Sequence, residues 1–461
     1  MVLIGNLTFK EVEFMFIFEN DTLKLVPNTL MMEKIELDWF DRESHVCSDS
    51  SIYVEDDCLH GRVSETNKTI TFLPDKNVRL GITNGIISIK IKSYFFSNHP
   101  NPRISRIEFH SAEINYIHPI NQAVEISYKS EEYDGIIQLK TKDFESTTTG
   151  KEEFIVNQKQ VKVWFGISRI TNFSIEKPPL LLQSAMIFEF NETSDYNFIS
   201  ELHRIAIEFI QFLCYRRNIQ FDKVLLRQTD YRKIGEFKVT QNIGIDEIDS
   251  LKKEGCIKQA RISGSEGRIL NDIATNQLYM RHIPKTYEDS LSIDAASFVL
   301  IMTAFEWEFN RILPAGIPKS KKREVAEKEV SDNIQRLIDS SSGELRKIYK
   351  TLKKSIVPYI ALSVKIERIL TKYETILRPF GENLYSLNNA TYVHSEIGSR
   401  LSKQRNNFAH GNLDKEFIAE SLLDVIFMKF VVVVMQLSEY GVGELEIQKS
   451  INELFRQSLL I

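Results

Sequence analysis

Apolar residues recur at about every second position up to Phe190 and every three to four positions beyond Tyr287, and this change of period constrains the fold more than any other feature of the chain. A period of two puts alternate side chains on opposite faces of a pleated strand. The clearest case is Ile86 to Phe96, where Ile87, Ile89 and Ile91 alternate with Ser88, Lys90 and Lys92. Thr69 to Leu73, Ala123 to Tyr128, Gly135 to Lys140, Val161 to Ile167 and Ala185 to Phe190 read the same way. Turn-forming breaks such as Pro74-Asp75-Lys76-Asn77, Asn98 to Pro102 and Thr147 to Gly150 separate them, as in an antiparallel sandwich or barrel.

Asn197 to Arg217 switches to helical spacing, with Ile199, Leu202, Ile205, Phe209, Ile210 and Leu213 in one broad stripe. Val224 to Arg227 and Gly235 to Val239 then return to strands, and Gly255 to Gly267, rich in Gly, Ser and charge, reads as a connection. Helices are predicted over Ser292 to Leu313, Lys322 to Ser340, Ser342 to Lys354, Ile360 to Tyr373, Thr391 to Ala409, Asp414 to Tyr440 and Gly443 to Leu459. The expected class is α+β. Residues 1–245 form a strand-rich antiparallel region, sandwich or barrel-like, residues 246–286 a connecting segment, and residues 287–461 an all-α bundle.

Composition narrows the functions. A formal net charge of -5 excludes a general polyanion binder, whose affinity rests on surplus Lys and Arg, so any nucleic-acid contact is local. Met1 to Lys10 lacks the features of a secretory signal, and Cys47, Cys58, Cys214 and Cys256 fit a reducing compartment, so a cytoplasmic protein is expected. The apolar stretch Ser421 to Leu437 is interrupted by Asp424 and Lys429, which reads as a buried helix and not a membrane span.

Chemistry concentrates in Ser402-Lys403-Gln404-Arg405-Asn406-Asn407-Phe408-Ala409-His410-Gly411-Asn412. Cleaving RNA through its own 2′-hydroxyl needs a group that exchanges protons near neutral pH and a fixed positive charge for the phosphorane. Histidine and arginine supply these without a metal. In a helix Asn406 and His410 form an i,i+4 pair, whereas Arg405 lies roughly 140° from His410 around the axis. Either Arg405 reaches around, or His410 sits past the helix end, which Gly411 favours.

Arg405 and His410, with four residues between them and polar Asn406 directly after the arginine, resemble the Arg-x4-6-His signature of the HEPN superfamily. The layout, a strand-rich region followed by a helical one, looks like the ApeA group of abortive-infection-associated HEPN proteins. The resemblance implies a metal-independent endoribonuclease for antiphage defence, needing no cofactor and set off by a phage trigger. It also implies a homodimer in which two motifs form one composite site that cuts RNA, tRNA among the candidates, leaving a 2′,3′-cyclic phosphate and a 5′-hydroxyl. A polar residue in the first helix of the domain is expected beside the arginine. Glu306 is the choice, with Glu308 as the alternative, since a carboxylate there would hold the guanidinium through paired hydrogen bonds.

Plainer readings stand beside these. Arg405 could cap a helix end or pair with a surface carboxylate, and His410 could be a cation at a helix C-terminus. His394 reads as an exposed helix residue. His45, Cys47, Cys58 and His60 form a mirrored set of ligand types, but the spacing is atypical of structural zinc and buried cysteines beside incidental histidines are preferred. Lys319 to Arg323 and Lys347 to Lys354 would guide an RNA backbone or be solvated helix faces. No phosphate-binding glycine loop and no Ser or Cys nucleophile motif is present. The competing function is a catalytically silent HEPN module that binds nucleic acid or a partner protein.

Overall fold

The computed structural model describes residues 2–27, 54, 56–78, 80–83, 86–128, 137–240, 253–317, 321–355, 360–409, 417 and 419–461. The chain divides into a unit running from Met1 to Leu278 and a second from Tyr279 to Ile461.

Alternation builds the start of the first unit. β1 (Val2–Phe9) exposes and buries side chains in strict turn, and with β2 (Val12–Glu19), β3 (Thr22–Pro27), β4 (Leu59–Val63), β5 (Thr69–Pro74), β6 (Gly81–Thr83) and β7 (Ile86–Ser97) it makes an antiparallel array. Six of these strands close on themselves in the order β7-β3-β2-β1-β4-β5, with β5 pairing back onto β7. Of the two architectures expected, this part is a barrel. Phe14, Phe16, Phe18, Phe72, Ile87 and Ile89 fill it. A Cβ on Gly5 or Gly61 would lie within 2.6 and 2.9 Å of the Phe16 ring, so both positions are bare to admit that ring.

β7 is twelve residues long and serves a second, open sheet. That sheet continues from β7 through β15 (Lys233–Val239), β14 (Lys223–Arg227), β8 (Ile104–His110), β13 (Leu180–Thr193), β12 (Lys159–Thr171) and β11 (Glu152–Val156). The predicted strands at 161–167 and 185–190 are partners in it, with Val161 opposite Phe190 and Phe165 opposite Met186. β9 (Val124–Tyr128) and β10 (Ile137–Thr141) form a separate hairpin.

α1 (Ala112–Ile117) precedes that hairpin, and the helix predicted over 197–217 is α2 (Tyr196–Cys214). Asp195 caps α2 by accepting from the Phe198 amide, and Tyr215, at φ 50°, ends it. Of the segment expected to connect, 253–278 belongs to the first unit: α3 (Glu266–Ala274) lies so close to β11 that a Cβ on Gly267 would come within 2.4 Å of the Glu153 carbonyl. Gly267 is bare because of that close approach, whereas Gly264, at φ 80° with open space around it, serves a turn.

The second unit is helical, with nine α-helices among the described residues: α4 (Tyr287–Leu291), α5 (Ala295–Ile312), α6 (Lys321–Ser340), α7 (Gly343–Ser355), α8 (Leu362–Lys372), α9 (Glu374–Leu387), α10 (His394–Ala409), α11 (Ala419–Glu439) and α12 (Glu444–Phe455). α5 starts at a capping box in which Asp294 and Ser297 satisfy one another's amides. α11 is long and apolar enough to cross a membrane, but 83% of its most apolar stretch is buried within the fold, as the interruption by Asp424 and Lys429 predicts. No element is predicted between Tyr373 and Thr391, yet α9 forms there around Pro379. Proline has no N–H to offer the Thr375 carbonyl, and Gln448 Nε2 donates to that carbonyl instead, at 3.2 Å.

Candidate active site

Arg405 sits in the last two turns of α10, one to two turns before the end of the described helix at Ala409. Its placement follows from how α10 meets α8. A Cβ on Gly398 would be 2.7 Å from the Ser363 carbonyl, so a bare glycine lets the two backbones touch. That crossing brings Lys365 of α8 and Arg405 of α10 to one carboxylate on α5. Arg405 Nη2 lies 2.9 Å from Glu306 Oε2, and Lys365 Nζ lies 3.1 Å from Glu306 Oε1.

The arrangement differs in one respect from a two-point fork. Each oxygen of Glu306 holds a different cation, so Arg405 donates one hydrogen bond to it. The Arg405 side chain keeps 38% of its surface exposed. Two cations on a single carboxylate leave a local excess of one positive charge beside an accessible guanidinium. Lys365 keeps only 14% of its side-chain surface exposed, and its ammonium lies 5.4 Å from the centre of the Phe309 ring.

Glu308, the alternative partner, points elsewhere. Two residues on a helix are about 200° apart, and Glu308 is fully buried toward α11, with Arg311 Nε 3.3 Å and Gln436 Nε2 3.2 Å from its two oxygens. Asn406 is exposed next to Arg405. His410, with Gly411 and Asn412, lies outside the described residues. The chain on either side of that stretch is anchored on α5: Phe408 and Phe417 pack on Phe298 at 5.5 and 6.0 Å between ring centres, and on each other at 5.1 Å. His394 opens α10 half-buried, not exposed as expected.

One helical turn before Arg405, Arg400 holds α10 to α11. Its Nε and Nη2 lie 2.8 and 2.7 Å from the two oxygens of Asp424, which also accepts from the Tyr385 hydroxyl, and its Nη1 lies 2.9 Å from Glu396. Hydrogen bonding to Asp424 raises the Arg400 guanidinium above its ordinary value. Burial, followed by the Asp424 charge, raises the Tyr385 phenol.

Sequence reasoning missed Lys365 and Arg400. Both had a local signal. Lys365 sits at i+3 from buried Leu362 and i−4 from buried Ile369, so it is a cation on an apolar face. Asp424 is a carboxylate within an apolar helix, which demands a cationic partner.

Elsewhere, Cys58 Sγ and His60 Nε2 are 3.3 Å apart, with His60 Nδ1 3.1 Å from Thr71 Oγ1. Burial raises the Cys58 thiol and lowers the His60 imidazole. His45 and Cys47 lie outside the described residues, among which no group of three or more His, Cys, Asp or Glu side chains could hold a metal. Of the two basic runs, Lys321 and Lys322 are exposed, as are Arg346, Lys347, Lys350 and Lys354 on α7. Comparison with protein-family models, curated proteins and solved structures returned no match.

Proposed function

We propose that the second unit is a metal-independent endoribonuclease of the HEPN type, with Arg405 and His410 as its working pair. The observation that supports this best is the Arg405–Glu306–Lys365 cluster, which orients a half-exposed guanidinium and leaves a net positive charge where a phosphate could bind. His410 follows Arg405 by five positions in the chain.

In the proposed reaction the imidazole of His410 removes the proton from a ribose 2′-hydroxyl. The oxygen then attacks the adjacent phosphorus, and the bond to the 5′-oxygen of the next nucleotide breaks. That leaving oxygen takes a proton and departs as a 5′-hydroxyl, leaving a 2′,3′-cyclic phosphate behind. Arg405 stabilises the charge that builds on the non-bridging oxygens, held in place by Glu306, with Lys365 adding a second positive charge on the same carboxylate. Asn406, exposed beside Arg405, is assigned to contacts with the RNA backbone.

The proposal extends to the biology implied by the family resemblance. A homodimer brings two motifs together, the substrate is cellular RNA with tRNA first among candidates, the strand-rich unit restrains the nuclease until a phage component releases it, and the protein acts in the cytoplasm. The test is to incubate the full-length protein with total RNA in EDTA and identify the ends of any fragments. Cyclic phosphates paired with 5′-hydroxyls support the reading. Fragments bearing 5′-phosphates, or cleavage that EDTA stops, contradict it. RNA that is bound but left intact, even in lysate from phage-infected cells, favours a silent binding module.

A further inference from the structure

Within the first unit, α2 and the strands β7, β14 and β15 enclose a cavity of about 510 Å³, the size range of small-molecule sites. Ser93 on its wall is fully buried, and among the described residues its hydroxyl has no hydrogen-bond partner. Leaving a buried hydroxyl unsatisfied is costly, so it points to an occupant.

His203 of α2 stands on the same wall, its ring 5.4 Å from that of Phe221 and 5.5 Å from that of Phe237. Burial, and then the charge of Lys92, pushes the imidazole down to about 4. At neutral pH it therefore offers one N–H donor and one lone pair, and among the described residues it makes ring contacts only. Lys92, Lys223 and Lys238 also line the cavity, none of them in an ion pair among the described residues, while Asp222 and Glu236 supply two carboxylates. Arg204 is committed to Glu201 and Glu208, at 2.6 and 2.7 Å. The free charge of the lining is thus one positive in excess.

We propose that this cavity binds a nucleoside 5′-monophosphate, or a molecule of the same chemistry: a flat heteroaromatic ring carrying a phosphate. The ring lies against His203, Phe221 and Phe237, its polar edge is met by the Ser93 hydroxyl and the His203 imidazole, and the phosphate meets the lysines. This site is independent of the nuclease reading, since it lies wholly within the first unit.

The test is calorimetric titration of the full chain with AMP, GMP, CMP and UMP, with the matching nucleosides, and with inorganic phosphate. At least one monophosphate is expected to bind saturably at one site per chain, with its nucleoside and phosphate alone each at least about tenfold weaker. Replacing both Lys223→Glu and Lys238→Glu should weaken it by roughly tenfold or more, with the circular dichroism spectrum unchanged. Arg405→Ala should leave it unaltered, which separates this cavity from the proposed RNA site. The proposal is overturned by the failure of all four monophosphates to bind at millimolar concentration. It is also overturned by binding that survives the double lysine substitution, or by binding lost with Arg405→Ala.

Discussion

Arg400 and Asp424 meet through both oxygens of the carboxylate, at 2.8 and 2.7 Å, and Asp424 has no exposed surface at all. Removing one member of a buried pair leaves the other charge uncompensated, at a cost of about 3–5 kcal/mol. Arg400→Ala, which strands the buried Asp424 carboxylate, should therefore lower the free energy of unfolding of the second unit by that order, measured by denaturant titration. A loss under 1 kcal/mol would mean that the pair does not fasten α10 to α11.

The contact between Glu306 and Arg405 has the opposite character. Arg405 keeps 38% of its side-chain surface and Glu306 24%, so solvent screens the attraction and its worth in stability is about 1 kcal/mol or less. Its value lies in orientation. Glu306→Gln should leave the melting temperature close to that of the wild type while RNA cleavage falls by roughly a hundredfold, as expected when a reacting group loses its fixed position. Unchanged cleavage would sink the role given to Glu306.

Gly398 sets the distance between α8 and α10, because a Cβ there would be 2.7 Å from the Ser363 carbonyl, a backbone atom that cannot swing aside. Gly398→Ala should destabilise the second unit by about 1–3 kcal/mol despite alanine's better helix propensity. Thermal unfolding decides this, and a stabilised variant would contradict the close crossing.

Lys429 is a cation in the buried middle of α11, its ammonium 2.9 Å from the Ser290 carbonyl, and burial pushes its pKa down to about 8. Between about pH 8 and ~10.4 the unfolded chain holds more of that proton than the folded one, so this residue makes stability rise with pH across that window. Below pH 8 both states carry the charge and the burial penalty is constant. Replacing Lys429→Met should remove the rise, which amounts to roughly 3 kcal/mol. Unfolding titrations of both proteins at the two ends of the window measure the difference, and parallel behaviour contradicts the burial argument.

The period of the apolar pattern makes much of this architecture legible. Ile86 to Phe96 and Val161 to Ile167 stand out as strands, and seven of the nine described helices of the second unit appear close to their observed limits, the short α4 and α9 being the two that do not, because side-chain alternation and helical stripes are local signals. Closure of the barrel is not local. It needs β5 to pair with both β4 and β7, with Ile70 opposite Gly61 on one side and Phe96 on the other, and no short pattern encodes a partner. α9 is hidden by Pro379, whose missing N–H is answered by Gln448 from elsewhere in the chain.

The same division holds at the site. Arg405, Asn406 and His410 are singled out by their spacing, and Glu306 by family resemblance, 99 residues away from Arg405. Lys365 joins them only through the crossing at Gly398, which depends on the packing of two helices and not on either sequence alone.

The central claim, that Arg405 and His410 cut RNA without a metal, is tested most directly by single-turnover cleavage in EDTA by wild type and His410→Ala, with dimer content and circular dichroism matched. The account predicts fragments ending in 2′,3′-cyclic phosphate from the wild type and a loss of at least about a hundredfold in the variant, the typical contribution of a general acid–base group. Equal cleavage by the two proteins would contradict it.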